Sequence, residues 1–201
     1  NGTLVSTIGK GYDNGSPKDV NVILDDDDFF GSSVSLNSAG NRLAVGARFD
    51  DGAGNVGSFI GAAYLFSFTD TDFTGGTLES TIGSGYTGGK NVDVANLDDG
   101  DDFGSSVSLN GVGDRLAVGA ADDDGAGNVA SITGAAYLFS FTDTDFNGGT
   151  LESTIGKGYT GNKNVDMTNL EDIDNFGSGV SLNKAGDRLA VGAQFDDGAG
   201  N

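Results

Sequence analysis

The chain has 201 residues, of which 30 are acidic and 10 basic, with a formal net charge of −20 and neither Cys nor His. A negative field of this size repels phosphate backbones, which argues against nucleic acid as a partner and makes cations the natural ones. Disulfides and the commonest general base are absent, and no apolar run approaches the roughly 20 residues that span a bilayer, so no membrane insertion is expected.

A repeat of 73 residues organises the sequence. The stretch FGSSVSLNSAGNRLAVGA at 30–47 returns with few changes at 103–120 and 176–193, and residues 77–128 and 150–201 differ at 12 of 52 positions. Such a period indicates supersecondary units that bury their apolar faces on one another. The predicted divisions are a partial segment, 1–29, a first unit, 30–102, a second unit, 103–175, and an incomplete third unit, 176–201.

Alternation of apolar and polar residues predicts the elements of one unit. Residues 1–9 are expected to form an outer strand with Leu4, Ser6 and Ile8 on one face, followed by a long surface loop, 10–28. Strands 30–37 and 42–47 flank a tight turn at 37–41. After the polar loop 48–59, strand 61–68 is apolar on both faces and therefore covered on both. The more polar strand 77–83 is expected at a sheet edge.

Four short antiparallel strands per unit predict an all-β fold of tandem, four-stranded β-propeller-type blades. A stacked β-solenoid is the structural alternative, but solenoid coils run in parallel strands, whereas the turn at 37–41 implies hairpins. Propellers typically close with about four to eight blades, so fewer than three units are not expected to close a ring alone. We therefore expect self-association or contact with further repeats of the same polypeptide.

A Phe-Gly begins one strand of each unit and a Gly-Ala ends the next: Phe30-Gly31 with Gly46-Ala47, Phe103-Gly104 with Gly119-Ala120, and Phe176-Gly177 with Gly192-Ala193. This pattern resembles the FG-GAP repeat family, although the proline of its Gly-Ala-Pro is replaced by Arg48, Ala121 and Gln194. The resemblance implies integrin α-like propeller blades. The sequence is also similar to the bacterial secreted or surface-anchored branch of that family. This similarity implies an extracellular or cell-surface location.

Two acidic loops in each unit are candidates for calcium binding. The turn at 37–41, where the resemblance would place calcium, offers at most one carboxylate and is not carried over. Instead, an Asp-x-Asp precedes each Phe-Gly, and Asp-Asp-Gly-Ala-Gly-Asn follows each Gly-Ala. Carboxylate and carbonyl oxygens are the ligands that Ca²⁺ prefers. The predicted ligands are Asp26 and Asp28, Asp99 and Asp101, and Asp172 and Asp174 before the Phe-Gly, and Asp50, Asp51 and Asn55, Asp123, Asp124 and Asn128, and Asp196, Asp197 and Asn201 after the Gly-Ala.

The alternative interpretation of these loops is that Asp-Gly and Gly-Asn form ordinary turns and that surplus Asp keeps the sheets soluble. Between the two loops, the one after Gly-Ala is favoured as the calcium site, because its spacing is the same in all three units and its glycines permit positive φ.

Function is predicted as a structural and adhesive repeat module of an exported surface or filament-forming protein, stabilised by Ca²⁺. A ligand-binding propeller that recognises glycan or protein through its loops is the alternative, and Tyr86 and Tyr159 are the residues considered for stacking on a sugar ring. An enzyme is not expected, because Ser32 and Ser33 have no evident activating partner. Identical loops in every unit also lack the asymmetry of a catalytic pocket.

Overall fold

A computed structural model describes residues 2–13, 16 and 18–198. The described strands are β1 Ile8–Gly9, β2 Val20–Asn21, β3 Phe30–Leu36, β4 Arg42–Ala47, β5 Ala62–Ser67, β6 Thr77–Gly83, β7 Val92–Asp93, β8 Phe103–Leu109, β9 Arg115–Ala120, β10 Ala135–Ser140, β11 Thr150–Gly156, β12 Val165–Asp166, β13 Phe176–Leu182 and β14 Leu189–Ala193. The fold is all-β, as predicted. Within the described ranges there is no helix suited to crossing a membrane.

Each complete unit builds one five-stranded sheet, with the orders β3-β4-β5-β6-β7 and β8-β9-β10-β11-β12. The first four strands of each sheet pair antiparallel. This antiparallel pairing is that of tandem propeller-type blades, whereas solenoid strands pair in parallel. The third unit contributes the hairpin β13-β14, and the described sheets do not close a ring.

The turn between β3 and β4 forms as predicted, because Asn37 closes it. The side-chain oxygen of Asn37 accepts hydrogen bonds from the backbone N–H groups of Asn41, at 3.0 Å, and Arg42, at 3.1 Å. Short polar side chains compete for backbone donors in this way and so favour tight turns. In the second unit, Asn110 makes the same bonds to Asp114 and Arg115.

The fifth strand of each sheet corrects the expectation of four strands and of an exposed outer edge. β7 pairs in parallel with the end of β6, through Ile82 and Val92. Its counterpart β2 lies inside the predicted surface loop 10–28, where Val22 is 1% exposed. The alternation of Val20, Val22 and Leu24 with polar residues could have predicted this buried stretch. It could not have predicted the parallel pairing, because a strand of two residues forms only where a neighbouring strand is present.

The predicted outer strand at 1–9 is mostly absent. Only Ile8–Gly9 forms a strand, and it pairs with Val20–Asn21, while Leu4 is 83% exposed. The equivalent strand β6 is held along its whole length by β5. Residues 2–7 form no antiparallel pairing among the residues that the structure describes.

Consecutive units pack sheet against sheet. β3 lies against β8, and β8 lies against β13. The largest core forms between the first two sheets and joins Leu65 and Ile82 of the first unit to Phe103 and Leu116 of the second. Apolar burial is therefore shared between neighbours, as expected for a repeat array.

Glycine permits the closest backbone approach in this packing. Gly104 has φ of 90° and follows Phe103 at an irregularity of the β8–β9 register, where its carbonyl points at the first unit. A Cβ on Gly46 would overlap this carbonyl oxygen, and one on Gly119 would overlap the carbonyl oxygen of Gly177. The Phe-Gly and Gly-Ala residues thus meet across each boundary between units.

We expect Gly119→Ala to destabilise the chain by about 1–3 kcal/mol, because the added methyl group must push two sheets apart. Gly192→Ala is the matched control, since the nearest atom to its added Cβ is 3.8 Å away. Urea denaturation of both variants measures the difference in the free energy of unfolding. Equal losses would show that the boundary between the second and third units is not packed as described.

Candidate functional site

The aspartate that opens each loop after Gly-Ala is buried between two tyrosines. Asp123 is 2% exposed and accepts hydrogen bonds from the hydroxyls of Tyr137, at 2.6 Å, and Tyr159, at 2.9 Å. The backbone N–H of Gly125 donates to it at 2.7 Å. In the first unit, Asp50 makes the same bonds to Tyr64, Tyr86 and Gly52.

Burial controls the protonation of this group. It raises the pKa of Tyr137 well above its ordinary value, and the charge of Asp123 adds to the increase, so the hydroxyl stays protonated and donates. Burial also raises the pKa of Asp123, although the hydrogen bonds from both tyrosines oppose that change. Each carboxylate is therefore held by donors that keep their protons at neutral pH.

The second aspartate of each Asp-x-Asp closes its own loop. Asp28, Asp101 and Asp174 are buried, and each accepts a hydrogen bond from the backbone N–H three residues earlier. Burial raises the pKa of Asp101 to about 8, and repulsion by Asp123, Asp98 and Asp124 adds to the increase. Burial likewise raises the pKa of Asp28, with Asp50 contributing.

The acidic loop before each complete unit therefore faces the loop that follows the Gly-Ala of that unit, although the two were predicted as separate sites. In the first unit they line one open cavity of about 590 Å³. Its acidic and polar wall consists of Asp25, Asp28, Asp50, Asn55, Tyr64 and Tyr86.

The first aspartate of each Asp-x-Asp lies apart from its partner. Asp26 is exposed and forms an ion pair with Lys10 at 2.9 Å. Asp99 and Asp172 are exposed and accept backbone N–H bonds from Ser58 and Ser131, each earlier in the same unit, at 3.0 and 3.1 Å. The carboxylates of an Asp-x-Asp are not brought together as a pair of ligands.

The remaining predicted ligands shape the loop after Gly-Ala. Asp51 and Asp124 accept the backbone N–H groups of Phe59 and Ile132, at 2.9 and 2.6 Å. Asn55 and Asn128 donate to Asp25, at 2.6 Å, and Asp98, at 3.1 Å. In the third unit, Asp196 and Asp197 are exposed, and Asn201 lies outside the described residues.

Among the described residues, no three acidic side chains form a group that could hold a metal ion. Asp25, Asp28 and Asp50 line the cavity of the first unit, where the buried pair is Asp28 with Asp50, and one repeat later the charge of Asp123 acts on Asp101. A calcium shell of about six to eight oxygens would require carbonyl oxygens and water beside such a pair. Calcium binding stays a prediction.

Tyr159 packs locally, and Tyr86 is half-buried in the wall of the cavity of the first unit. The ring of Tyr159 is 8% exposed and meets Tyr137 edge to face at 6.2 Å, so its face is not presented to a sugar. Sequence reasoning missed the partners Tyr64 and Tyr137. The signal was a tyrosine within an apolar strand buried on both faces, because a buried hydroxyl needs a hydrogen-bond acceptor.

The serines considered for catalysis serve packing. Ser33 donates to the carbonyl oxygen of Gly104 across the unit boundary at 2.8 Å, and Ser32 donates to the carbonyl oxygen of Gly46 at 3.1 Å. Both hydroxyls are thus bound to backbone oxygens rather than to a base.

A family model described as FG-GAP repeat matches residues 24–66, from the acidic loop before Phe30 through β5. This match supports the FG-GAP family, whose repeats are non-catalytic modules of β-propeller type. No curated protein matches the chain.

The raised pKa of Asp101 predicts how stability changes with pH. A carboxyl whose folded pKa exceeds its unfolded value stabilises the fold while protonated, and this contribution is lost as pH rises towards about 8. With metal removed by EDTA, we therefore expect the Asp101→Asn variant to be more stable than the parent chain near pH 8. This gain in stability should be smaller near pH 5. Asp99→Asn, an exposed neighbour, is the control. Melting curves that show the same gain at both pH values would contradict the assignment.

Proposed function

We propose that the chain is a structural and adhesive repeat module of an exported surface or filament-forming protein. One observation carries the proposal: a set of serine, glycine and backbone contacts between the first and second units recurs between the second and third. The FG-GAP match supports a repeat module and, with it, an extracellular or cell-surface location. A module that repeats its own interface is suited to extending an array.

The recurring interface consists of three polar bonds and a backbone bridge. Serine hydroxyls donate to glycine carbonyls, from Ser33 to Gly104 at 2.8 Å and from Ser106 to Gly177 at 2.7 Å. Backbone N–H groups of Leu109 and Leu182 donate to Ser35 and Ser108, both at 2.9 Å. The backbone N–H of Ser38 donates to the carbonyl oxygen of Gly111, and that of Gly111 donates to the carbonyl oxygen of Lys184. Isolated parallel β-bridges also join Gly61 to Phe103 and Gly134 to Phe176.

The third unit presents the face that would receive a following unit. Alternate residues of β13 and β14 are exposed, whereas β8 and β9 are almost wholly buried. Ser181 occupies the position of the bonding residues Ser35 and Ser108, and Gly192 that of Gly46 and Gly119. The partners we propose are accordingly further repeats of the same polypeptide or other copies of the chain.

Calcium enters this proposal as a stabilising ion for the acidic cavities. Besides burial, the charges that raise the pKa of Asp28 and of Asp101 are all neighbouring carboxylates. A divalent cation would offset their repulsion, with carboxylate oxygens as the donors.

Thermal melting in excess calcium against EDTA, at matched ionic strength, tests the calcium proposal. A hundredfold excess over Kd adds roughly 2.7 kcal/mol to the stability of a chain with one site. Asp101→Asn should reduce the calcium-dependent rise in melting temperature, because the equivalent pair Asp28 and Asp50 is left intact, and Asp99→Asn should keep the full rise. Equal melting temperatures with calcium and EDTA would leave the acidic loops as hydrogen-bonded turns.

Sedimentation over a concentration series tests the scaffold, and a glycan array tests the alternative. We expect association that rises with concentration and that Gly192→Arg weakens, because the long side chain covers the open face of the third unit. Thr87→Arg makes the same charge change at an exposed loop and should leave association unchanged. Glycan binding by a chain that stays monomeric would favour the ligand-recognising propeller.

A further inference from the structure

A loop of the second unit fills a groove on the first. The guanidinium of Arg42 donates to the carbonyl oxygen of Thr144 and pairs with the carboxylate of Asp145 at 2.6 Å. The ammonium of Lys90 donates to the carbonyl oxygen of Asp145 at 2.7 Å. Next to these contacts, Phe146 is fully buried in the core that also contains Leu65.

The same groove exists one unit further along, and there it is open. It lies between the second and third units, has a volume of about 320 Å³, and includes Arg115, Leu138, Glu152 and Lys163. These residues stand 73 positions after Arg42, Leu65, Glu79 and Lys90.

Exposure shows the difference between the filled and the open groove. The Arg42 side chain is 11% exposed, whereas Arg115 is exposed. The Lys90 side chain is 27% exposed and that of Lys163 is 70% exposed. The first groove thus holds an occupant that the second lacks within the described residues.

We propose that the open groove binds the Thr-Asp-Thr-Asp-Phe loop of a further repeat unit. The inference rests on the proposed serial association of units. The groove and the loop would be one of the contacts through which a further unit is recognised. In this groove, Arg115 and Lys163 would bind the aspartate carboxylate and two backbone carbonyl oxygens of the loop. Apolar residues such as Leu138 would contact the phenylalanine. In a chain with net charge −20, Arg115 and Lys163 are two of only ten basic residues, and an acidic loop complements them.

A second lysine supports this choice of occupant. Lys18, in the segment before the first unit, donates to the carbonyl oxygen of Asp72 at 2.8 Å, and Asp72 stands 73 positions before Asp145. The lysine-to-loop bond therefore occurs twice along the chain, and Lys163 is the next lysine in the series.

The loop is held in shape by its own hydrogen bonds. The carboxylate of Asp143 accepts the backbone N–H groups of Asp145, at 2.9 Å, and Asn147, at 3.2 Å. The backbone N–H of Thr142 donates to the carbonyl oxygen of Asn147 at 2.8 Å. A short cyclic peptide can keep this shape, which reduces the entropy lost on binding.

The test uses a fluorescent cyclic peptide of residues 140–150 and the full chain, with binding followed by fluorescence anisotropy. We expect saturable binding that Arg115→Ala with Lys163→Ala weakens by about tenfold or more, since hydrogen bonds to charged groups are lost. A peptide with Asp145→Ala and Phe146→Ala should bind equally weakly to the unchanged chain. The proposal is overturned if the peptide does not bind, or if its affinity is the same with and without these substitutions.

The filled groove supplies a second, independent measurement. Arg42→Ala should lower the melting temperature, because it releases the loop at Asp145, while Arg115→Ala should leave it unchanged. Equal effects would overturn the equivalence of the two grooves. Peptide binding by a chain that does not self-associate would keep this inference and reject serial association, whereas association without peptide binding would do the reverse.

Discussion

The fold depends on the close approach of two backbones at each unit boundary. The carbonyl oxygen of Gly104 sits where a side chain on Gly46 would have to be, and Gly177 stands in the same relation to Gly119. Only glycine allows this distance, and only a left-handed conformation after the phenylalanine turns the carbonyl towards the neighbour. The main structural role of the Phe-Gly and Gly-Ala residues is therefore to form the interface between units, and this interface fixes the positions of the strands that contain them.

The acidic loops follow from that arrangement. Asp99 and Asp172 accept backbone N–H groups from the loop that follows the Gly-Ala of their own unit. Inside a unit, Asp50 and Asp123 bind two tyrosines each. Many of the acidic side chains are thus carboxylates that accept specific hydrogen bonds.

Repetition also allows each contact to be compared with its own copy. A position that is buried in one unit and exposed in the next identifies what a neighbour covers, as Arg42 and Arg115 show. The same comparison separates Gly119, which is crowded, from Gly192, which is not. Matched variants within one chain therefore distinguish packing between units from the intrinsic stability of a unit.

The sequence by itself determined the local structure. Period-2 alternation predicted β3, a run that is apolar on both faces predicted β5, and Asn37 to Asn41 predicted the hairpin turn, because side chains adjacent in sequence encode these features. The 73-residue period predicted tandem units of one fold.

Tertiary structure alone decided how distant segments meet. It added the parallel strands β2 and β7, joined two acidic loops into one cavity, gave Asp50 and Asp123 their tyrosine partners, and carried the loop at Asp145 onto Arg42. None of these contacts lies between neighbours in sequence. They depend on the spacing and twist of stacked sheets, which no local pattern of residues specifies.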